Sequence, residues 1–199
     1  MAGALSERSA RASAIGAGLG HMNWGHMNHD SYPDEYIRAI LTGVRKIALV
    51  GASTNPARPS WIVMKYLVDR GYDVFPVNPG QAGKEILGQR VYGHLADLPE
   101  RIDMVDIFRN AEAAGRVVDE AIALSPRPRV IWMQLSVRND EAAMQAEAAG
   151  IKVVMNRCPK IEYGRLSGEI GWQGVNSRII SAKKPALAGR GFQKLSIDR

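Results

Sequence analysis

One cysteine, Cys158, stands in 199 residues. No disulfide can form within the chain, so a reducing compartment, the cytoplasm, is the expected setting. No apolar run approaches the ~18 residues that a membrane span needs. Runs such as 47–50 are only strand length. His and Cys never fall at zinc spacing, and His21, His26 and His29 are too loosely set to make a metal site. Aromatic residues make up 7% of the chain and do not interleave with its basic residues, which argues against a nucleic-acid partner.

Acidic charge is also short, with 20 Asp and Glu against 26 Lys and Arg and a net charge of +6. Much of the excess lies in Arg178, Lys183, Lys184, Arg190, Lys194 and Arg199, opposed there by Asp198. The segment 167–199 is therefore expected to be a basic, solvated tail, with a binding arm as the alternative. Residues 1–28 are rich in Ala, Gly, Ser, His and Met and show no sustained period. They are expected to be disordered or extended, or to be an upstream extension of a frame starting at Met22 or Met27. Their Arg and Ser, with Glu7 as the acid, also suit a transit peptide.

What is present from Pro33 onward is regular. Pro33-Asp34-Glu35 opens a short helix, with proline and acids in the first turn. Five apolar runs follow at 46–50, 73–77, 104–108, 129–133 and 152–155. They do not alternate with polar residues, as expected for strands covered on both faces. Helices are expected at 59–70, 110–124 and 139–149, the last with an Asn cap, Asp140 and Glu141 in its first turn and Gly150 just beyond. The stretch 81–99 is irregular, with a short edge strand at Val91-Tyr92. Repeated strand–helix–strand units predict an α/β, Rossmann-like, doubly wound parallel five-stranded sheet with helices on both faces, in a domain over 33–166. Ligands of such sheets bind outside the strands' carboxyl ends.

The loop after the first strand, Gly51-Ala-Ser-Thr-Asn-Pro-Ala-Arg-Pro-Ser60, is the most informative. Gly51 allows close backbone approach, and Ser53 and Thr54 supply hydroxyls. Pro59 and Ser60 suit the first turn of a helix, whose free amides attract an anion. Arg58 can grip a phosphate through paired hydrogen bonds. The loop lacks Gly-x-Gly-x-x-Gly and any Gly-Lys-Ser/Thr ending, which disfavours a P-loop nucleotidase. The second strand ends in Val77-Asn78-Pro79 rather than the Asp or Glu that binds the ribose of NAD. Lys84 follows, and a basic residue there suits an adenosine with an extra ribose phosphate, which leaves coenzyme A and NADP both open. Arg109 is expected either to reach a phosphate or to cap the next helix, and Gln134 to face the crevice. Asp106, inside an apolar strand, is read as hydrogen-bonded core in preference to a ligand contact.

No Ser-His-acid set, paired carboxylates or metal spacing is found, so neither catalytic nor metal-binding residues are assigned. His94 is read as structural or solvated. Cys158 lies between Arg157 and Lys160 and is read as an inert, half-buried thiol, with a thiol pKa lowered by that basic setting as the alternative.

The motifs Lys46-Ile-Ala-Leu-Val-Gly-Ala-Ser-Thr-Asn-Pro-Ala-Arg-Pro-Ser60, Val77-Asn-Pro79, Asp103-Met-Val-Asp-Ile-Phe-Arg109, Val130-Ile-Trp-Met-Gln134 and Val153-Val-Met-Asn-Arg-Cys-Pro-Lys-Ile-Glu162 resemble the small bacterial and archaeal CoA-binding domain proteins. These in turn are similar to the nucleotide-binding domain of the succinyl-CoA synthetase alpha subunit. The resemblance covers 34–166. It implies that coenzyme A, or an acyl-CoA, is bound without catalysis by this chain. Gly51, Ala52, Ser53, Arg58 and Ser60 would surround the pyrophosphate. Val77, Asn78 and Lys84 would lie near the adenosine and its phosphate. Ser136 departs from the pattern, since glycine is expected after the Gln-Leu pair, and so does His94. A homo-oligomer, or a role as partner subunit of an enzyme, fits the resemblance. An NAD(P)-binding oxidoreductase or redox sensor of related fold is the alternative.

Overall fold

The computed structural model describes residues 27–168. The segment 1–28 and the basic tail 167–199 lie outside the described residues except at their inner ends. Along the chain, α1 (Asp34–Gly43) leads into β1 (Lys46–Val50), α2 (Pro59–Asp69) and β2 (Asp73–Val77). A hairpin of two short strands follows, β3 (Glu85–Ile86) and β4 (Gln89–Arg90). Then come β5 (Met104–Ile107), α3 (Ala111–Ala123), β6 (Val130–Met133), α4 (Asp140–Ala148), β7 (Lys152–Val154) and α5 (Pro159–Ser167).

The five long strands form one parallel sheet in the order β2-β1-β5-β6-β7. The order reverses between β1 and β5. Alternate side chains of each strand go to opposite faces. Ile47, Leu49, Met104 and Trp132 pack under α1, α2 and α5, and Ala48, Val50, Val105, Ile107 and Met133 under α3 and α4. Both faces are dry, so unbroken apolar runs are what the strands require; each such side chain contributes about 1.5–3 kcal/mol of burial. The caps follow the sequence. Asn110 accepts from the Ala113 amide and Asn139 from the Ala142 amide, while Pro59 opens α2.

Three details differ from expectation. Strands β5, β6 and β7 are each one residue shorter than their apolar runs. The edge strand expected at Val91-Tyr92 is a bridge between Tyr92 and Val77, preceded by the β3–β4 hairpin, whose turn residues Leu87 and Gly88 both have positive φ (52° and 78°). Helix α5 was not expected, because its buried residues Pro159, Glu162, Tyr163 and Gly164 form no apolar stripe.

Strand β7 is the outer strand on one side. There the Tyr36 hydroxyl donates to the Val153 carbonyl at 3.2 Å, and the Tyr32 hydroxyl accepts from the Met155 amide at 2.7 Å. On the other side Tyr92 brackets β2, donating to the Pro76 carbonyl and accepting from the Asn78 amide.

Candidate functional site

The carboxyl ends of all five strands open into one cavity of about 780 Å³. It runs from Asn78 and Gln81 past β2, across Gly51 and Ser53 past β1, to Arg109 past β5, Gln134 and Leu135 past β6, and Cys158 past β7. Four interstrand spacings put its length at roughly 19 Å. Its centre is the β1–β5 boundary where strand order reverses, the place that fold geometry assigns to ligands.

Gly51 sits at φ +92°, and a Cβ there would lie 2.3 Å from the Phe108 carbonyl oxygen. The glycine is thus needed to let β1 and β5 close together beneath the cavity, as well as to keep the loop low. The Gly51 and Ala52 amides both turn back to the Val77 carbonyl. The loop then folds on itself: Ser53 Oγ accepts from the Asn55 amide, and Asn55 Oδ1 from the Ala57 amide. Gln81 Oε1 accepts from the Thr54 amide at 3.2 Å. Asn78 is a clamp, donating to the Ala52 carbonyl at 2.7 Å and accepting from Arg109 at 3.1 Å.

At the head of α2, Trp61 and Ile62 donate back to the Arg58 carbonyl, and Pro59 has no N–H to offer. Ser60, 5% exposed, brings its amide and hydroxyl to the cavity wall. The Arg58 guanidinium makes no hydrogen bond or ion pair with another described residue. Among the described residues, the wall carries two arginines and one thiol, with no carboxylate or histidine on it. It therefore attracts an anion with nothing of opposite sign to compete.

Of the residues expected at the site, Gly51, Ala52, Ser53, Arg58, Ser60, Asn78, Arg109 and Gln134 line the cavity. Val77 and Lys84 lie outside its wall. The Val77 side chain is buried in the core, and Lys84 is exposed in the turn before β3. Arg109 does not cap α3, since Asn110 does; it spans to Asn78 instead. Sequence reading missed Gln81, Phe108, Leu135 and Val137. Gln81 was hidden in an irregular stretch, and the others follow strand ends directly, which was the signal available.

Asp106 is core, fully buried, with Gln134 Nε2 at 2.8 and 3.1 Å from its two oxygens. Burial, only partly offset by that bond, pushes its carboxyl up to about 8. His94 heads a short turn, its carbonyl accepting from the Asp97 amide while the Asp97 carboxylate accepts from the His94 amide. Cys158 is a buried thiol, as preferred from the sequence, and the alternative of a lowered pKa is not found. Burial pushes that thiol up, and the charge of Asp106 adds to it, against the amides of Ile161 and Lys160. Arg157 is engaged elsewhere, with the Asp30 carbonyl and over the Tyr32 ring. Ser136 has φ +66° and Asn156 φ +53°. The position where glycine was expected is thus a left-handed one that glycine suits.

Among the described residues, no group of three or more His, Cys, Asp or Glu side chains is set to hold a metal ion. No helix among them is long and apolar enough to cross a membrane.

A family model described as a CoA binding domain matches residues 45–164. Uncharacterized protein YneT of Bacillus subtilis is 35% identical over 127 residues, 64% of this chain and 91% of that one. A hypothetical protein from Pyrococcus horikoshii, known as a solved structure, is 44% identical with a TM-score of 0.64, covering 69% of this chain and 94% of that one. The alpha subunit of an ADP-forming acetate–CoA ligase of Pyrococcus furiosus is 31% identical over 84 residues. That match takes in 40% of this chain but 18% of the ligase subunit.

Proposed function

The chain belongs to the CoA binding domain family, and we propose that it binds coenzyme A, or an acyl-CoA, along the carboxyl edge of its sheet without acting on it chemically. The observation that carries this reading is the cavity itself. It is long, cationic at the α2 end and free of acids on its wall. Coenzyme A is an elongated ligand with all its phosphates at one end. In this reading the pyrophosphate lies over Gly51, Ala52 and Ser53, against the Ser60 amide and the Arg58 and Arg109 guanidiniums. The adenosine lies over the backbone of Val77 and against Asn78, with Lys84 near its ribose phosphate. The remaining arm crosses β5 and β6 toward β7.

The cavity wall supports binding rather than turnover. A nucleophile needs a base within reach; among the described residues of that wall Cys158 has no histidine or carboxylate beside it, and Asp106, the carboxyl that acts on it from beneath, is buried and held by Gln134. Association with a second copy or with an enzyme subunit belongs to the same proposal and is read out by native mass spectrometry.

Titration calorimetry with CoA and dephospho-CoA tests the reading. CoA is expected to bind about ten-fold more tightly, the value of one charge-assisted phosphate contact. Equal affinity removes the assignment of the ribose phosphate to Lys84, and absence of binding by both ligands removes the CoA reading.

A further inference from the structure

The phosphate end of the cavity leaves one buried pair unused. Asp106 lies on the face covered by α1, α2 and α5, in register with Leu49 of β1 and Trp132 of β6. It is 0% exposed, and its side-chain partner is Gln134. Gln134 is 6% exposed and lines the cavity. Its amide nitrogen points down to both Asp106 oxygens, so its carbonyl oxygen points the other way, into the cavity. That oxygen has no hydrogen-bond partner among the described residues. Phe108, Leu135, Val137 and the buried Cys158 share the cavity wall with it. An acceptor left unpartnered on such a wall favours a ligand with an N–H donor at that point.

Resting on the reading that the cavity holds CoA, we propose that Gln134 is the specificity-determining residue for the amide-bearing arm of the ligand, accepting an arm N–H at Oε1. Asp106 is the positioning residue that turns the Gln134 amide that way. The distance along the sheet fits: the phosphate loop sits at β1 and Gln134 two strands on, about 10 Å away, so the arm and not the nucleotide passes over it.

The pair is linked to a proton. An ionised carboxylate only accepts, so it holds Nε2 and keeps Oε1 outward. A protonated carboxyl donates as well, and its O–H competes for the Gln134 oxygen. Burial places that change near pH 8. The titratable group coupled to Asp106 is the Cys158 thiol at the head of α5. The cations on the surrounding elements are Arg58 before α2, Arg109 past β5 and Lys160 in α5, and none of them bonds to Asp106. Their pull acts on every phosphate ligand alike, so the ratio of two ligands isolates the arm.

The test compares S-methyl-CoA, whose sulfur does not titrate, with 3′-phospho-ADP, which keeps the pyrophosphate and lacks the arm, by calorimetry on the full chain between pH 7 and 9. Wild type is expected to bind S-methyl-CoA more tightly, and the ratio to rise several-fold through about pH 8. Q134L is expected to weaken S-methyl-CoA about ten-fold and leave 3′-phospho-ADP unchanged. D106N keeps the size of the side chain and reports even where Q134L fails to fold; it is expected to bind both ligands with a ratio that no longer varies with pH. Equal losses for both ligands in Q134L, or a pH-dependent ratio that survives in D106N, overturn the inference while leaving CoA binding in place. Wild type binding neither ligand overturns the parent reading and this inference with it.

Discussion

Asp103 and Arg58 sit at opposite ends of the same sheet, and their surroundings differ in kind. At the amino ends of the strands, Asp103 accepts from the Arg45 and Lys46 amides at 2.9 and 3.0 Å and pairs with Arg129 at 3.0 Å. Arg45 also pairs with Asp73, and Lys46 with Glu100. At the carboxyl ends, the Arg58 guanidinium has no partner among the described residues and Arg109 has an amide oxygen where an acid could stand. Charges at the amino edge hold strands to one another. Charges at the carboxyl edge are left for something the protein does not itself supply. The backbone differs as well: the residues with positive φ before β2 and β7 at the amino edge are glycines, Gly71 and Gly150, whereas at the carboxyl edge Ser136 and Asn156 adopt it without being glycine.

The largest effect expected of breaking this contrast is on the amino side. D103A strands two amides and Arg129, and is expected to cost about 3 kcal/mol in urea unfolding while leaving CoA affinity unchanged. Burial pushes the Asp103 carboxyl up, but the Lys46 and Arg45 amides and Arg129 outweigh it and hold it below its ordinary value. Its stabilisation is therefore full above the unfolded value of about 4 and is lost as pH falls through the folded one. Wild type and D103A should converge in acid. R58A is expected to do the reverse, weakening CoA about 30-fold by calorimetry, or ~2 kcal/mol, with unfolding within about 0.5 kcal/mol of wild type.

Asp106 tests the contrast from beneath the cavity. Its folded value, near 8, lies above the unfolded value of about 4, so the folded state holds the proton more tightly. Wild type should lose stability relative to D106N as pH rises from about 4 to 8. A melting-temperature difference that grows by about 5 °C between pH 5 and 8 is expected, and a constant difference contradicts the assignment. The smallest effect belongs to the strained turn. S136G relieves a left-handed serine and should stabilise by about 0.5–1 kcal/mol, with CoA affinity intact, by chemical denaturation.

Much of this was legible before any coordinates. Strands buried on both faces need unbroken apolar runs, so β1, β2 and β5 to β7 announced themselves. The caps Asn110 and Asn139 and the proline opening α2 did the same for helices. Sites at strand ends follow from the fold, which is why most of the chosen residues line the cavity. What escaped reading depends on long-range geometry. Gly51 answers to the carbonyl of Phe108, 57 residues on, and nothing in the first loop says so. The turn of the Gln134 amide is set by a carboxyl one strand away. The thiol of Cys158 is governed by burial, while the adjacent Arg157 that seemed to govern it is drawn off by Asp30 and Tyr32.

The tyrosines along the outer strands have a consequence for crowding. An uncapped outer strand is a template on which another chain can lay down its own strand and begin an aggregate. Here the Val153 carbonyl and Met155 amide are already taken by Tyr36 and Tyr32, and burial raises both hydroxyls so that they stay protonated. On the opposite flank Pro76 offers no N–H, and Tyr92 occupies the groups on either side. A parallel sheet ending in phenol groups on one flank and proline on the other cannot be extended by strand addition at these positions. At these two flanks a neighbouring molecule meets side chains in place of open backbone, so the five-stranded sheet does not propagate there.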